Sequence, residues 1–294
     1  MNSYKKYKIG IVGVGVLGSA IAKCIINQKI TLYGFDISKK FIKNFDKNYF
    51  KFCSSLDELF KKTDIVITCL PNEQSLLEIS YKTPPKTFIL ETSTLPLECK
   101  TTARKNILKN GANIVDCPVS GNRLAALEGQ LSSYLSGTKK DKKIANVILN
   151  LFCKKITDVG PFGNGIVMKL IGNILNLVHN AVTAEVMILG MKSGLSPNII
   201  HKAICGSFSS SSVFENRGKL MVNEDYSKEG MNFSVPLKDS AYITNLSREK
   251  SVGIPIYQVA LQYYYSAVAH GLKDNDASSI LKIMEKNSNF KRPG

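Results

Sequence analysis

The sequence predicts an α/β fold: an N-terminal parallel sheet, doubly wound with helices, and an all-helical C-terminal domain joined to it by one long interdomain helix. Three observations carry this expectation. Over the first ~160 residues, short β-branched runs alternate with amphipathic stretches. A glycine-rich turn follows the first run, and after Gly160 strand alternation gives way to helical periodicity. A chain of 294 residues exceeds the usual size of one hydrophobic core, and an apolar content of 44% is ample to fill two.

Strands are predicted at residues 9–13, 30–35, 64–70, 87–90, 113–119, 132–135 and 156–159, with charged segments between them. Residues 165–193 read as one helix, ended by Gly194, with Pro197 opening the next. Segments 198–203, 237–249, 256–270 and 277–286 keep the helical period. The expected domains are therefore 1–161 and 162–294. The linking helix extends about 42 Å at the rise of an α-helix, long enough to run from one domain into the other. Its beginning is expected at an interdomain cleft, where pockets tend to form.

Composition narrows the function classes. Seven cysteines stand singly, without a C-x-x-C pair, which argues against a secreted disulfide framework and for a reducing cytoplasm. His179, His201 and His270 lie far apart without ligand spacing, so no metal is expected. Lys5, Lys6 and Lys8 precede an apolar run, but Gly10, Gly13, Gly15 and Gly18 inside it speak for a first strand and helix rather than a secretory leader. No segment offers an uninterrupted apolar run of membrane-spanning length, so no membrane span is expected. The net charge of +16 comes almost entirely from scattered lysines, with arginine only at 104, 123, 217, 248 and 292. This is read as a solvated surface with a mild attraction for anions, without nucleic-acid binding.

Gly13-Val14-Gly15-Val16-Leu17-Gly18 is a G-x-G-x-x-G run placed after a predicted strand and opening a predicted helix. Such glycines permit the tight turn, the approach of a pyrophosphate and close helix packing, while the helix N-terminus favours phosphate. The run predicts a Rossmann-type dinucleotide site formed by Gly13, Gly15, Val16, Leu17 and Gly18. Asp36 lies 23 residues after Gly13 at the end of the second strand, where an acid accepts from ribose hydroxyls and repels a 2′-phosphate. NAD is therefore favoured. Ser38, Lys39 and Lys40 are suited to hold that same phosphate, which keeps NADP open. The alternative for Asp36 is a cap for a helix beginning near Ser38.

In Gly163-Asn164-Gly165-Ile166-Val167-Met168-Lys169-Leu170-Ile171-Gly172-Asn173, a lysine and an asparagine fall at i and i+4 on one helix face. Spacing alone leaves Lys169 balanced between a side chain snorkelling to water and a group poised for acid and base duty.

Four motifs in order resemble the β-hydroxyacid dehydrogenase family, which includes 3-hydroxyisobutyrate dehydrogenases and glyoxylate and succinic semialdehyde reductases. They are the Gly13 to Gly18 loop; Asp116-Cys117-Pro118-Val119-Ser120-Gly121, followed by Gly129; residues 163–173; and Lys238-Asp239. Cys69-Leu70-Pro71-Asn72, Glu91-Thr92-Ser93-Thr94 and Gly271-Leu272-Lys273-Asp274 look like further landmarks, so the likeness covers essentially the whole chain. The resemblance implies that Lys169 is the catalytic acid and base. It implies that Ser120, the backbone near Gly121 and Asn122, and Asn173 anchor the substrate. Leu70, Pro71 and Thr94 would line the nicotinamide, and Lys238 with Asp239 would meet the cofactor, Lys238 also the substrate. The implied reaction moves a hydride between NAD(P) and a small 3-hydroxy acid, or reduces the matching semialdehyde or keto acid, in a homodimer or homotetramer.

Two residues depart from the family pattern. Asn122 stands where members usually carry a second glycine, so the loop is expected either to hold asparagine at positive φ or to bind a different head group. Arg123 after it either recruits an acid or lies at the surface. Cys69 and Cys117 are read as buried fillers, and Lys238-Asp239 alternatively as a helix-start charge pair. The apolar, tyrosine-rich stretch 254–265 suits an interface or core. Two other functions compete. A non-catalytic dinucleotide-binding scaffold has no need of Lys169, Asn173 and Ser120 together, and an imine reductase on the same architecture is expected to lack the lysine.

Overall fold

The protein is described by a computed structural model covering residues 3–38, 40–41, 45–227 and 231–292, which leaves Lys39 outside the described residues. The chain forms two compact units, one up to Lys169 and one from Leu170.

In the first unit β1 (Ile9–Val12), β2 (Leu32–Phe35), β3 (Phe50–Phe52), β4 (Ile65–Thr68), β5 (Phe88–Glu91) and β6 (Asn113–Asp116) form a six-stranded parallel sheet in the order β3-β2-β1-β4-β5-β6. Its direction of winding changes at β1, flanked by β2 and β4, which makes the carboxyl end of β1 the switch point where such sheets bind ligands. Strands β1, β4 and β5 are buried along their whole length. Alternate residues serve opposite faces: Ile65 and Ile67 join one apolar cluster and Val66 the other. The first cluster takes Ile21 and Ile25 from α1 (Val16–Ile26) and Ile148 from α6 (Lys139–Leu149). The second takes Leu59 from α2 (Leu56–Lys62), Ile79 from α3 (Glu73–Lys82) and Ile107 from α4 (Leu97–Lys109).

The sheet differs from expectation in two ways. Strand β3 was not foreseen, because its alternation of Phe50, Lys51 and Phe52 covers only three residues, too short a run to read as a strand. The run 113–119 also does not form one strand. It stops at Asp116, and after Cys117 and Pro118 the chain forms β7 (Val119–Ser120), which pairs antiparallel with β8 (Leu131–Leu135). Strand β9 (Cys153–Asp158) pairs parallel with β8. These three make a separate sheet and do not extend the parallel one.

Helix α7 (Asn164–Lys192) starts in the first unit and continues into the second. The second unit adds α8 (Pro197–Ile204), α9 (Ser212–Asn223), α10 (Ser234–Glu249), α11 (Pro255–Ala269) and α12 (Ile280–Asn287). Among the described residues it has no strand. Helix α9 was missed because serines dominate its approach, and its few buried positions, Phe214, Gly218 and Met221, give a weak apolar period. The carboxylate of Asp276 knits the unit together: it accepts from Arg217, from the amide of Ser278 at 2.8 Å and from that of Met231 at 2.9 Å. Helix α7 is long and apolar enough to cross a membrane by length and composition alone. It nevertheless buries Asn173, Asn180 and Thr183, and the Asn180 amide donates to the Tyr264 hydroxyl at 2.9 Å.

All seven cysteines are free thiols. Cys24, Cys53, Cys99, Cys117 and Cys153 are buried, whereas Cys69 and Cys205 are partly exposed, which corrects the expectation of a fully buried Cys69. Burial pushes the Cys153 thiol up to about 12 and that of Cys99 up to about 11. A thiol reagent at neutral pH is therefore expected to modify no more than the two partly exposed cysteines in the native protein and all seven after denaturation. Rapid native labelling of a third cysteine would contradict this burial.

Candidate active site

Parallel register gathers the candidate residues on one edge of the sheet. Val12 pairs with Phe35 and Thr68, Thr68 with Glu91, and Glu91 with Asp116. The segments leaving this row are the glycine loop, Asp36, Cys69 to Pro71, Thr92 to Thr94 and Cys117 to Ser120.

The three motif glycines have different environments. Gly13 has φ +88, and a Cβ there would lie 2.2 Å from the Cys69 carbonyl oxygen. A Cβ on Gly18 would lie 1.9 Å from the Gly13 carbonyl oxygen, so α1 rests directly on the loop that precedes it. A Cβ on Gly15 would meet nothing within 4 Å. Gly15 is also the N-cap of α1 and brings no side chain to its amides. A backbone turn that leaves helix amides accessible suits a pyrophosphate. Val16 is exposed, and Leu17 is partly buried against the core.

Asp36 caps no described helix. Its Oδ2 accepts from the Val14 amide at 2.6 Å and its Oδ1 from the Ser38 amide at 2.7 Å. The acid thus ties the end of β2 to the glycine loop. Leu70 is buried and donates its amide to Ser93 Oγ at 2.8 Å, while Pro71 is exposed and Thr94 partly buried.

The loop after β7 shows which residue takes the positive φ. Gly121 holds the positive φ, +136, and a Cβ there would lie 2.6 Å from Leu131 Cδ2. Asn122 is extended at φ −92 and caps α5 (Arg123–Leu127), with its side chain accepting from the Ala125 amide at 3.0 Å. The expected alternative of asparagine at positive φ is therefore corrected: the left-handed backbone falls one residue earlier, and asparagine is a favourable cap where it stands. Ser120 and Arg123 are both partly buried.

Lys169 is partly buried on α7, and Asn173 follows one turn later on the same helix. Asn173 is buried, and its Nδ2 donates to Asp239 Oδ2 at 2.8 Å. Its Oδ1 accepts from Asn176 at 3.2 Å, so both ends of the amide are engaged. Asp239 is buried in the second turn of α10, not at its start, and Lys238 Nζ lies 3.4 Å from Asp239 Oδ1 and 5.5 Å from the centre of the Tyr242 ring.

A buried polar cluster behind the sheet edge was not foreseen. Lys100, Glu91 and Asp116 are all fully buried, with Lys100 Nζ 2.6 Å from Asp116 Oδ1 and 3.7 Å from Glu91 Oε1. Thr68 donates its hydroxyl to Glu91. The signal was an acid ending each of two apolar strand runs. No local pattern pairs them with a lysine on α4.

A family model described as the NAD binding domain of 6-phosphogluconate dehydrogenase matches residues 8–160. A second, described as NAD-binding of NADP-dependent 3-hydroxyisobutyrate dehydrogenase, matches residues 163–284. The chain is 25% identical over 283 residues to L-threonate dehydrogenase of Cupriavidus necator, covering 94% of this chain and 95% of that one. It is 27% identical over 291 residues to mitochondrial 3-hydroxyisobutyrate dehydrogenase of Drosophila melanogaster, covering 95% of this chain and 89% of that one. Its fold matches a crystal structure of 3-hydroxyisobutyrate dehydrogenase from Salmonella typhimurium with a TM-score of 0.84 and 21% identity, covering 94% of this chain and 99% of the other.

Proposed function

The chain belongs to the β-hydroxyacid dehydrogenase family and uses NAD(P), and from that premise we propose that it reversibly oxidises a small 3-hydroxy acid with Lys169 as the proton carrier. The observation that carries this reading is the pairing on α7 of Lys169 with a buried Asn173 whose amide is fixed by Asp239. A non-catalytic dinucleotide-binding scaffold has no need of Lys169, Asn173 and Ser120 together.

When bound, the nicotinamide takes up or gives back the hydride. The chain's own residues do the rest. Gly13, Gly15, Val16, Leu17 and Gly18 hold the pyrophosphate, Asp36 the ribose, and Leu70, Pro71 and Thr94 flank the nicotinamide. Ser120, the Gly121 and Asn122 backbone, and Asn173 orient the substrate. Lys238 meets substrate or cofactor. Asp239 acts through Asn173, because its carboxylate is buried and already bonded to that amide. Lys169 accepts the hydroxyl proton during oxidation and returns it during reduction.

The test follows nicotinamide absorbance with a panel of substrates set by the relatives: NAD or NADP with 3-hydroxyisobutyrate, L-threonate or 2-(hydroxymethyl)glutarate, and NADH or NADPH with succinic semialdehyde. Turnover of a hydroxy acid supports the reading. Cofactor binding without turnover of any member would favour the scaffold.

NAD is the expected partner, since the Asp36 carboxylate at the end of β2 repels a 2′-phosphate. Asp36→Ala is expected to weaken NAD binding by about 10-fold or more, since it also releases the Val14 amide, and to narrow the preference over NADP. Calorimetric titration of both dinucleotides decides. Tighter binding of NADP by the parent protein would reverse the assignment.

The unpaired thiols fit a reducing cytoplasm. A homo-oligomer accounts for the exposed apolar residues Ile171, Leu175, Val182, Val186 and Leu189, which recur along one stripe of α7, and for Ile256, Val259 and Tyr265 on α11. Sedimentation is expected to find a dimer or tetramer, and Leu175→Glu with Leu189→Glu to shift it toward monomer. A monomeric parent would refute the assembly.

A further inference from the structure

Lys100 carries a charge into a place where an isolated charge is strongly disfavoured. Its side chain is 0% exposed and faces two equally buried carboxylates, those of Asp116 and Glu91. Burial lowers the tendency of its ammonium to keep a proton. The two carboxylates and the Asp116 hydrogen bond more than offset this and hold its pKa above the ordinary lysine value. The geometry therefore sets the Lys100 amine between the Asp116 and Glu91 carboxyl groups, 2.6 and 3.7 Å away.

Each carboxyl group has a second partner of consequence. The other oxygen of Asp116, Oδ2, accepts from the Ile166 amide at 2.8 Å and from Ser136 Oγ at 3.1 Å, and Ser136 Oγ in turn accepts from the Gly165 amide at 3.0 Å. Those two amides belong to the first turn of α7, immediately before the turn that carries Lys169. The contact is tight, since a Cβ on Gly165 would lie 2.7 Å from Asp116 Oδ2 and 2.6 Å from the Tyr134 carbonyl oxygen. On the other side, Glu91 Oε1 accepts from the Ser93 amide at 2.9 Å, and Ser93 Oγ accepts from the Leu70 amide at 2.8 Å. One ammonium thus joins the loops that carry Leu70 and Thr94 to the start of the helix that carries Lys169.

The geometry points to Lys100 as a positioning residue, which holds Asp116 and Glu91 together and thereby sets the first turn of α7, and Lys169 with it, against the strand ends. The inference rests on the acid–base reading of Lys169. Small displacements of a reacting group lower rate more than binding. Loss of Lys100 is therefore expected in kcat, not in KM or cofactor affinity.

The test compares the parent with Lys100→Met/Glu91→Gln, which removes one positive and one negative charge and leaves the net charge of the cluster unchanged. Turnover is measured with NAD or NADP and the most active member of the panel above. The folded double variant is expected to bind cofactor and substrate within about 3-fold of the parent and to lose about 10-fold or more in kcat. A kcat within about 3-fold of the parent in the folded variant would overturn the proposal. If the double variant does not fold, Ser136→Ala decides. It removes the link from Asp116 to the Gly165 amide, and about 3- to 10-fold lower kcat at parental cofactor affinity is expected, whereas unchanged kcat overturns the proposal. Lys169→Ala is measured in parallel. If it retains parental kcat, the acid–base reading fails and the positioning role with it. If it is inactive while both network variants are parental, only the role of Lys100 fails.

Discussion

Lys169→Ala is expected to lower kcat by roughly two to four orders of magnitude while leaving cofactor affinity close to that of the parent. The size follows from what is removed: no other lysine stands within one turn of it on α7 to take the proton of the departing hydroxyl. The selectivity follows from position. The glycine loop and Asp36 hold each other through the Val14 amide, and neither touches α7 in that contact. Alanine is the strongest helix former, so the helix should persist and the melting temperature change little. Steady-state kinetics with a fluorescence titration of reduced cofactor separate the two effects. A variant with kcat within a few-fold of the parent would remove Lys169 from proton transfer.

The second large effect lies in the glycine loop. Gly18→Ala puts a methyl group where the Gly13 carbonyl oxygen lies 1.9 Å away, and the obstructing atom is backbone, so the loop must move. Gly13 has no room to absorb that movement, because a Cβ on it would already meet the Cys69 carbonyl oxygen at 2.2 Å. The variant is expected to lose about 2–4 kcal/mol of stability and to bind dinucleotide at least about 100-fold more weakly. Gly15→Ala is the matching control, as its methyl group meets nothing within 4 Å and its φ of −75 suits any residue. It should melt within about 2 °C of the parent, yet bind cofactor about 10-fold or more weakly, because the methyl group occupies the approach of the pyrophosphate. Thermal denaturation alongside titration distinguishes the pair. Equal loss of stability in both variants would contradict the description of the loop.

Much of this site was legible in the sequence where local pattern and tertiary role coincide. The glycine loop lies between a buried strand and a helix, and residues 165–193 keep one helical period to Gly194, so both could be read from neighbours alone. The helix forms as Asn164–Lys192. What was not legible depends on partners distant in sequence. Strand β3 is recognisable only through its pairing with β2, because Phe50-Lys51-Phe52 is too short a run to announce a strand by itself. Asn122 looked anomalous because counting from a family pattern put the glycine requirement on it. The backbone puts that requirement on Gly121, where Leu131 crowds the Cβ position. The hydrogen bond that Asp239 accepts from Asn173 spans 66 residues and has no local signal. Lys100, Glu91 and Asp116 come from one helix and two strands, and only the parallel register brings them together.

The central claim is that a hydride passes between the carbon bearing a substrate hydroxyl and the nicotinamide while the chain handles the proton. It is tested most directly with 3-hydroxyisobutyrate, or the most active member of the panel, deuterated at that carbon and incubated with oxidised cofactor. The account predicts that deuterium appears on the nicotinamide ring of the reduced cofactor, with a slower rate for the deuterated substrate, and that Lys169→Ala nearly abolishes the transfer. Cofactor bound at parental affinity, with no deuterium passed to it from any hydroxy acid of the panel, would contradict it.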